Sequence, residues 1–538
     1  MIFIEIRKII KENTSDTFFN FKDIESNSSM MEKNIHHGCF FLSFYCNFAL
    51  SSYFVYSLTF LIFNSPFKSF KSLIFLLPLI SLLIMKRSCF FFLSLLFVLS
   101  AFADGFHIIS WHEPYYEGMS KKNLDNYAAD LYGIKQSFYE TLSKAGFDVV
   151  MGELCPNQGT DNVTGRKIGL EVLNRCQKAG LQLIMSVGMF QNNKTKETGN
   201  QYRYSDGKLE ISKQWLTTLA KHPALYGYFI TDEPFMHTYS VVKSSLNSNK
   251  NFDWVKERVS LYRRCDPTHV FYVNLVSSEA THIAYNKSSP MLLINKMKQY
   301  ENYVSDFGDL TNVISFDCYP FVYRVAGQPH SGVSLKKDWL PSLEVVRNVS
   351  NRQSKPFWGF ICITKREGIR PETDIKQLRL QGFVNLVYGA KAIQYFKLKE
   401  STNYASDGTG LEKFQKCMMK KDGSIIKSVY KLVSQFNEKE LRPMGDFFYP
   451  AKIENVDKRD RGFSDAYISN VSGECIVSYF TRNNQRYAAI VNYSYYNNLV
   501  VNPNLSKISE VLNHSLEPQN PSETVILTPG DMILFKLK

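Results

Sequence analysis

Ala224-Leu225-Tyr226-Gly227-Tyr228-Phe229-Ile230-Thr231-Asp232-Glu233-Pro234 is an apolar run that stops abruptly at two carboxylates and a proline. A run this short and this apolar reads as a strand buried on both faces, the kind that parallel sheets contain. A parallel β/α barrel presents its chemistry at the C-terminal tips of such strands, so an acid at this tip stands where a catalytic group belongs. The same Asp-Glu-Pro also suits the opening turn of a helix, where it would only cap. The pattern on either side separates the two readings.

From Phe106 to about Phe396, short apolar runs alternate with longer amphipathic ones. The runs Phe106–Ser110, Phe147–Met151, Leu181–Val187, Leu225–Ile230, Val270–Leu275, Val313–Phe316, Pro356–Ile363 and Ala392–Phe396 predict strands. Between them Asn123–Ala145, Gly169–Ala179, Ile211–Lys221, Trp254–Cys265, Lys336–Asn348 and Asp374–Tyr388 predict helices, with Gly146 and Gly180 where helices should stop. Eight strands over about 290 residues predict an α/β chain with a (β/α)8 TIM barrel. A doubly wound sheet is the alternative, but no Gly-x-Gly-x-x-Gly turn follows the first strand. Residues 104–410 are assigned to the barrel and 411–446 to a helical connector. Period-two alternation and the turns Arg482-Asn483-Asn484-Gln485 and Thr528-Pro529-Gly530-Asp531 make 447–538 a small antiparallel β-sandwich.

The 538 residues carry a net charge of +13, but the lysines are scattered and no nucleic-acid motif appears, so no nucleic-acid partner is expected. Ahead of the barrel, Met85-Lys86-Arg87-Ser88-Cys89, the apolar Phe90–Ser100 and Ala101-Phe102-Ala103 read as a signal peptide over 85–103, cleaved after Ala103. Residues 1–84 are then either an extension upstream of the true start or, with the apolar stretch Cys39–Asn64, a membrane-associated segment. The first reading makes the protein secreted or resident in a lysosome-like lumen; the second keeps residues 39–100 and anchors it to a membrane. Sequons at Asn162, Asn193, Asn286, Asn348, Asn470, Asn492, Asn504 and Asn513 agree with export as a glycoprotein. The seven cysteines beyond Ala103 are widely spaced, which leaves room for one or two bridges and predicts no zinc site.

Side chains at the strand tips would converge on one face. The first tip brings Trp111, His112 and Glu113, the second Glu153, the fourth Asp232 and Glu233, and the fifth Asn274. Asp317 and Tyr319 end the sixth, Trp358 lies on the seventh, and Tyr395 closes the eighth. Carboxylates exchange protons or bind hydroxyls, and aromatic faces stack on pyranose rings. Trp111, Glu113, Glu153, Asp232, Asn274, Tyr319, Trp358 and Tyr395 are therefore candidate substrate contacts.

Tyr226–Pro234, Val313–Phe321, Gln381–Phe396 and the closing Leu527–Met532 give the chain its resemblance to the clan A glycoside hydrolases, most of all the family 42 β-galactosidase group and its less characterised relatives. The resemblance implies a hydrolase acting on O-glycosidic bonds, with Glu233 as general acid/base, no cofactor and an oligosaccharide or glycoconjugate as substrate. Galactose is suggested by that likeness alone. Two departures stand out. Asp232 replaces the asparagine that precedes the acid/base in the clan, and Phe357–Thr364 holds no carboxylate where the clan keeps its nucleophile. Asp317 is the preferred second carboxylate, as base or nucleophile, with Glu153 in reserve and Glu367 available only if its loop folds back. Burial among apolar neighbours would keep Glu233 protonated as the acid. A barrel without the seventh-strand carboxylate also fits an inactive carbohydrate-binding or adhesion protein.

Overall fold

The computed structural model describes residues 105–111, 135–152, 163–186, 216–234, 249–278, 290–325, 327–404, 411–420 and 422–538. The expectations for residues 1–103, for Glu113 and Glu153, for Cys155 and for the sequons at Asn162, Asn193 and Asn286 lie outside these residues. Among the described residues no helix is long and apolar enough to cross a membrane.

Eight parallel strands close into a barrel: β1 (His107–Trp111), β2 (Val149–Gly152), β3 (Gln182–Ser186), β4 (Leu225–Asp232), β5 (Val270–Val276), β6 (Ile314–Asp317), β7 (Phe357–Cys362) and β8 (Ala392–Phe396). Each strand pairs with its neighbours in chain order, and β8 returns to β1 in register from His107↔Ala392 to Ser110↔Tyr395. The chain is thus a (β/α)8 barrel, with every strand where an apolar run predicts it. The helices α1 (Gln136–Lys144), α2 (Val163–Ala179), α3 (Asn249–Cys265), α4 (Pro290–Leu310), α5 (Trp339–Gln353) and α6 (Ile375–Val387) lie between the strands. Gly146 and Gly180 follow α1 and α2 with φ of 82° and 72°, the left-handed stop that a side chain resists.

Two-sided burial explains the continuous apolar strands. Ile109 and Trp111, Val149 and Met151, Tyr272, Trp358 and Phe360 form a core inside the barrel. Their neighbours in sequence, among them Ile108, Val150, Phe271, Val273, Ile361 and Ile393, pack outward beneath the helices. Gly359 on β7 is required by close approach, since a Cβ there would sit 2.0 Å from Asn385 Oδ1 of α6.

After the barrel the helical connector begins later than expected. Leu411–Gln415 is a strand, paired with Ser401–Tyr404 and with Lys365–Arg366. The helices are α7 (Lys427–Phe436), a π-helical turn Asn437–Leu441 and α8 (Arg442–Phe448). They close the N-terminal end of the barrel. Asn437 Nδ2 donates to Ala145 O at 2.9 Å, and Arg442 bonds both Phe106 O and the Asp148 carboxylate. Lys391, just ahead of β8, donates to the carbonyls of Phe448, Tyr449 and Ala451 at 3.1, 2.7 and 3.1 Å.

The C-terminal region is an antiparallel β-sandwich. Its larger sheet runs in the order Lys452–Arg459, Cys475–Arg482, Gln485–Asn492, Met532–Leu537, Ile508–Asn513 and Pro518–Gln519. The smaller sheet contains Ile468–Val471, Leu499–Pro503 and Val525–Leu527. Val477, Ile490 and Phe535 face the smaller sheet, whereas Ile476, Phe480, Val491 and Leu534 join the core of the barrel and its helices. Asn483 and Asn484 turn the expected hairpin at φ of 49° and 61°. Asn492 is 1% exposed, with its amide donating to the carbonyls of Asn497, Leu527 and Thr528, so this sequon is a structural asparagine rather than a glycan acceptor. The six cysteines among the described residues are free thiols, so no bridge forms among them.

Candidate active site

The tips of β4, β5 and β6 build the site. Register aligns Asp232 with Asn274 and Val276 with Asp317, so these tips end at neighbouring levels. The pairing of β4 shifts on both sides, between Leu183 and Ile184 and between Phe229 and Thr231, which re-aims the residues at its end. Glu233 then takes φ of 39°, a left-handed conformation rare for a side-chain-bearing residue, and its N–H donates to Asn274 O at 2.9 Å. This turn brings its carboxyl to Asp317, and the two side chains hydrogen-bond to each other.

Two carboxyl groups in contact cannot both ionise cheaply. Burial, then the Asp317 charge, pushes the Glu233 carboxyl up to about 9. Burial also raises Asp317, against the hydrogen bond from Tyr319 and the charges of Arg370 and Lys336. The pair therefore gives up its protons in two steps, and in the singly protonated state Glu233 is the donor and Asp317 the acceptor of their hydrogen bond.

Asp317 is 8% exposed and Glu233 is half-buried. Asp232 turns outward and is exposed, its carboxylate accepting from Asn274 Nδ2 at 3.1 Å. Asn274 is buried and belongs to a polar chain through the barrel. Ser315 Oγ reaches Asn274 Oδ1 and Tyr272 Oη at 3.0 Å each, Gln394 Nε2 donates to Ser315 Oγ at 2.8 Å, and Tyr272 Oη donates to Gln394 Oε1 at 2.7 Å.

Three aromatic candidates lie elsewhere than expected. Trp111 is 3% exposed and packs edge-on against Phe229, Tyr272 and Phe360 in the barrel core, which leaves no open face for a sugar. Trp358 sits one residue into β7, far below the tip, stacked on Tyr272 at 5.6 Å. Tyr395 points away from the lumen, because Ala392 and Gln394 take the inward positions on β8. Its hydroxyl bonds Asn437 and its ring packs on Phe147. Tyr319 does reach the site, where its hydroxyl bonds Asp317 and its ring stacks on Phe396 at 4.9 Å.

The tip of β7 carries Cys362, level with Phe396 on β8, where the clan resemblance calls for a glutamate. Glu367 is exposed in the loop beyond and does not fold back. Arg370 is the residue of that loop that reaches the site, with its guanidinium carbon 4.4 Å from the centre of the Tyr319 ring. Sequence reasoning passed over it. The available signal was a basic loop, Lys365-Arg366-Glu367-Gly368-Ile369-Arg370, directly after a strand tip that lacks an acid. Among the described residues no His, Cys, Asp and Glu cluster is arranged to hold a metal ion. A groove of about 740 Å³ runs along the outer wall between Leu335–Leu340 and Tyr493–Tyr496, and neither carboxyl lines it.

No family model matches the chain, and no curated protein matches it. Among solved structures it is similar to the β-galactosidase from Bacillus circulans sp. alkalophilus, at 8% identity over 81% of this chain and 99% of that one, with a TM-score of 0.48. It is also similar to the β-galactosidase from the psychrophilic Marinomonas ef1, at 11% identity over 62% of this chain and 59% of that one, TM-score 0.40. A third is the family 1 β-glucosidase from Thermotoga maritima in complex with isofagomine lactam, at 12% identity over 62% of this chain and 97% of that one, TM-score 0.40. The match spans about three fifths of the Marinomonas enzyme.

Proposed function

We propose that this protein is a glycoside hydrolase in which Glu233 is the acid/base and Asp317 the nucleophile. The observation that carries this reading is the proton-sharing Glu233–Asp317 pair at the C-terminal mouth of a closed barrel. A carboxylic acid held protonated near neutral pH beside an ionised carboxylate is the division of labour that glycosidic cleavage needs. Substrate enters between the two groups, and the glycosidic oxygen replaces Asp317 as the acceptor of the Glu233 hydrogen bond. Glu233 gives its proton to that oxygen as the bond to the anomeric carbon breaks, and an Asp317 oxygen forms the glycosyl ester. Water, losing a proton to Glu233, then breaks the ester and releases the sugar. Carboxyls already in contact need a small parting to reach the roughly 5–5.5 Å of retaining enzymes, and a larger one for the roughly 6.5–9.5 Å of inverting enzymes. Retention is the expected outcome.

The test is turnover of a panel of aryl glycosides and oligosaccharides by the purified protein. Glu233→Gln and Asp317→Asn should each lower kcat at least ~100-fold. Full activity in Glu233→Gln would refute the assignment. Proton NMR of the first-formed anomer reads the stereochemistry. Export rests on the Met85–Ala103 segment, and a mature N-terminus at Asp104 would support it.

Cys362 at the β7 tip favours one second reading, a barrel that binds glycans without cleaving them. Glycan affinity that survives Glu233→Gln, with no hydrolysis of any bound sugar, would select it.

A further inference from the structure

We propose that Arg370 is a positioning residue that keeps Asp317 ionised and so holds the proton of the pair on Glu233. The inference rests on the hydrolase reading and deepens it, assigning to a loop cation the work of fixing which carboxyl is acid and which is base.

The loop that carries Arg370 is fixed in place. Arg370 N donates to Arg366 O at 2.8 Å and Arg366 N to Arg370 O at 3.3 Å, closing a tight turn just after β7. That turn is fastened to the hairpin that follows β6. Gly327 N donates to Gly368 O at 2.8 Å and Tyr323 N to Ile369 O at 3.0 Å. On its other side the Lys365–Arg366 strand pairs with Phe414 and Gln415. The guanidinium is thus delivered over Tyr319, whose hydroxyl bonds Asp317, from a backbone tied on two flanks. Arg370 Nε is buried without a hydrogen-bond partner among the described residues. The guanidinium is therefore not used up in an ion pair at that nitrogen.

Charge accounting around the pair singles Arg370 out. Asp232 of β4 faces Glu233, and Tyr272 of β5, Cys318, Tyr319 and Cys362 surround Asp317, with Tyr300 and Tyr303 of α4 behind them. Burial raises every one of these phenols and thiols, so they stay neutral. Among the described residues, Arg370 and Lys336 are cations that act on Asp317, and Arg370 acts on Glu233 as well, there ranking behind burial and the charges of Asp317 and Asp232. An opposite charge near a carboxyl favours its ionised form. Where the clan resemblance calls for an acid at the end of the seventh strand, this chain follows that strand with a cation that acts on Asp317 of the sixth.

The experiment is the pH profile of kcat/KM for the full chain on its best aryl glycoside, compared in wild type, Arg370→Lys and Arg370→Gln. Arg370→Gln should move both limbs to higher pH, the acid limb by about one unit, with kcat falling more than KM rises. Arg370→Lys should keep the limbs near their wild-type positions, which a merely structural role would not predict. Limbs unmoved in a folded Arg370→Gln protein overturn the proposal. If that variant does not fold, infrared difference spectra of the unliganded protein decide. At neutral pH the protonated carboxyl band should vanish in Glu233→Gln and persist in Asp317→Asn, and the reverse pattern overturns the proposal. Undiminished turnover in Glu233→Gln instead defeats the hydrolase reading itself, so the two failures are distinct.

Discussion

The side chains of Glu233 and Asp317, from strands separated by one neighbour, hydrogen-bond directly to each other. Activity that needs one proton on the pair should follow a bell. It should rise as Asp317 loses its proton, above the ordinary aspartate range, and fall as Glu233 loses its own near pH 9. These ionisations belong to the pair, so the limbs report the couple rather than either residue. A rate profile flat from pH 5 to pH 10 would contradict the shared proton.

The same raised carboxyl makes stability depend on pH. Glu233 binds its proton more tightly folded than unfolded, so its contribution is fully present below about pH 4.5 and is lost as pH rises toward about 9. Glu233→Gln keeps a donor toward Asp317 and cannot ionise. Its melting temperature should match wild type in mild acid and exceed it increasingly up to pH 9, as read by thermal unfolding across that range.

Glu233 also holds φ of 39°. Glycine accepts that backbone without steric cost, whereas alanine does not. Glu233→Gly should therefore be inactive yet more stable than Glu233→Ala by about 1 kcal/mol in urea unfolding. Equal stabilities would mean that the turn is unstrained.

Asn274 ties three groups together: the Glu233 amide, the Asp232 carboxylate and the Ser315 hydroxyl. Asn274→Ala leaves Ser315 with one acceptor fewer and releases Asp232, at a cost of about 1–3 kcal/mol. Activity should fall with stability, and Asn274→Asp should fall further because it places a second charge beside Asp232. Denaturant titration and kcat measured together on both variants check this.

Far from the mouth, Lys391 satisfies three carbonyls at the end of α8. Lys391→Met keeps the length of the side chain and strands those acceptors at a helix C-terminus, where a cation is also favoured. The expected loss is about 3 kcal/mol, with kcat unchanged in the folded fraction. Thermal unfolding and specific activity per folded molecule separate the two.

The barrel was legible because its strands are buried on both sides and bounded by stop signals such as Gly146 and Gly180. The acidic tip of β4 and the acid on β6 were legible for the same reason, since a carboxylate is conspicuous after an apolar run. What sequence misassigned is a matter of direction and depth. Tyr395 ends a strand whose inward parity belongs to Gln394, and Trp358 lies at the wrong end of its strand. Arg370 is signalled in sequence only as one member of a basic loop, because which cation of that loop reaches the site depends on hydrogen bonds to a hairpin more than forty residues earlier in the chain. The late start of the connector helices has a similar cause, since Leu411–Gln415 pairs with Lys365–Arg366 across the mouth.

The six-stranded sheet is apolar on both faces, one closing the sandwich and the other resting on the barrel helices. Gly530 marks how close that approach is, for a Cβ there would lie 2.4 Å from Lys376 O on α6. A single wall shared by two interiors leaves the polypeptide no seam. Removing the C-terminal sheet would bare the apolar flank of the barrel helices along with the inside of the sandwich, so what looks like an accessory module is a wall of the half that carries the acids.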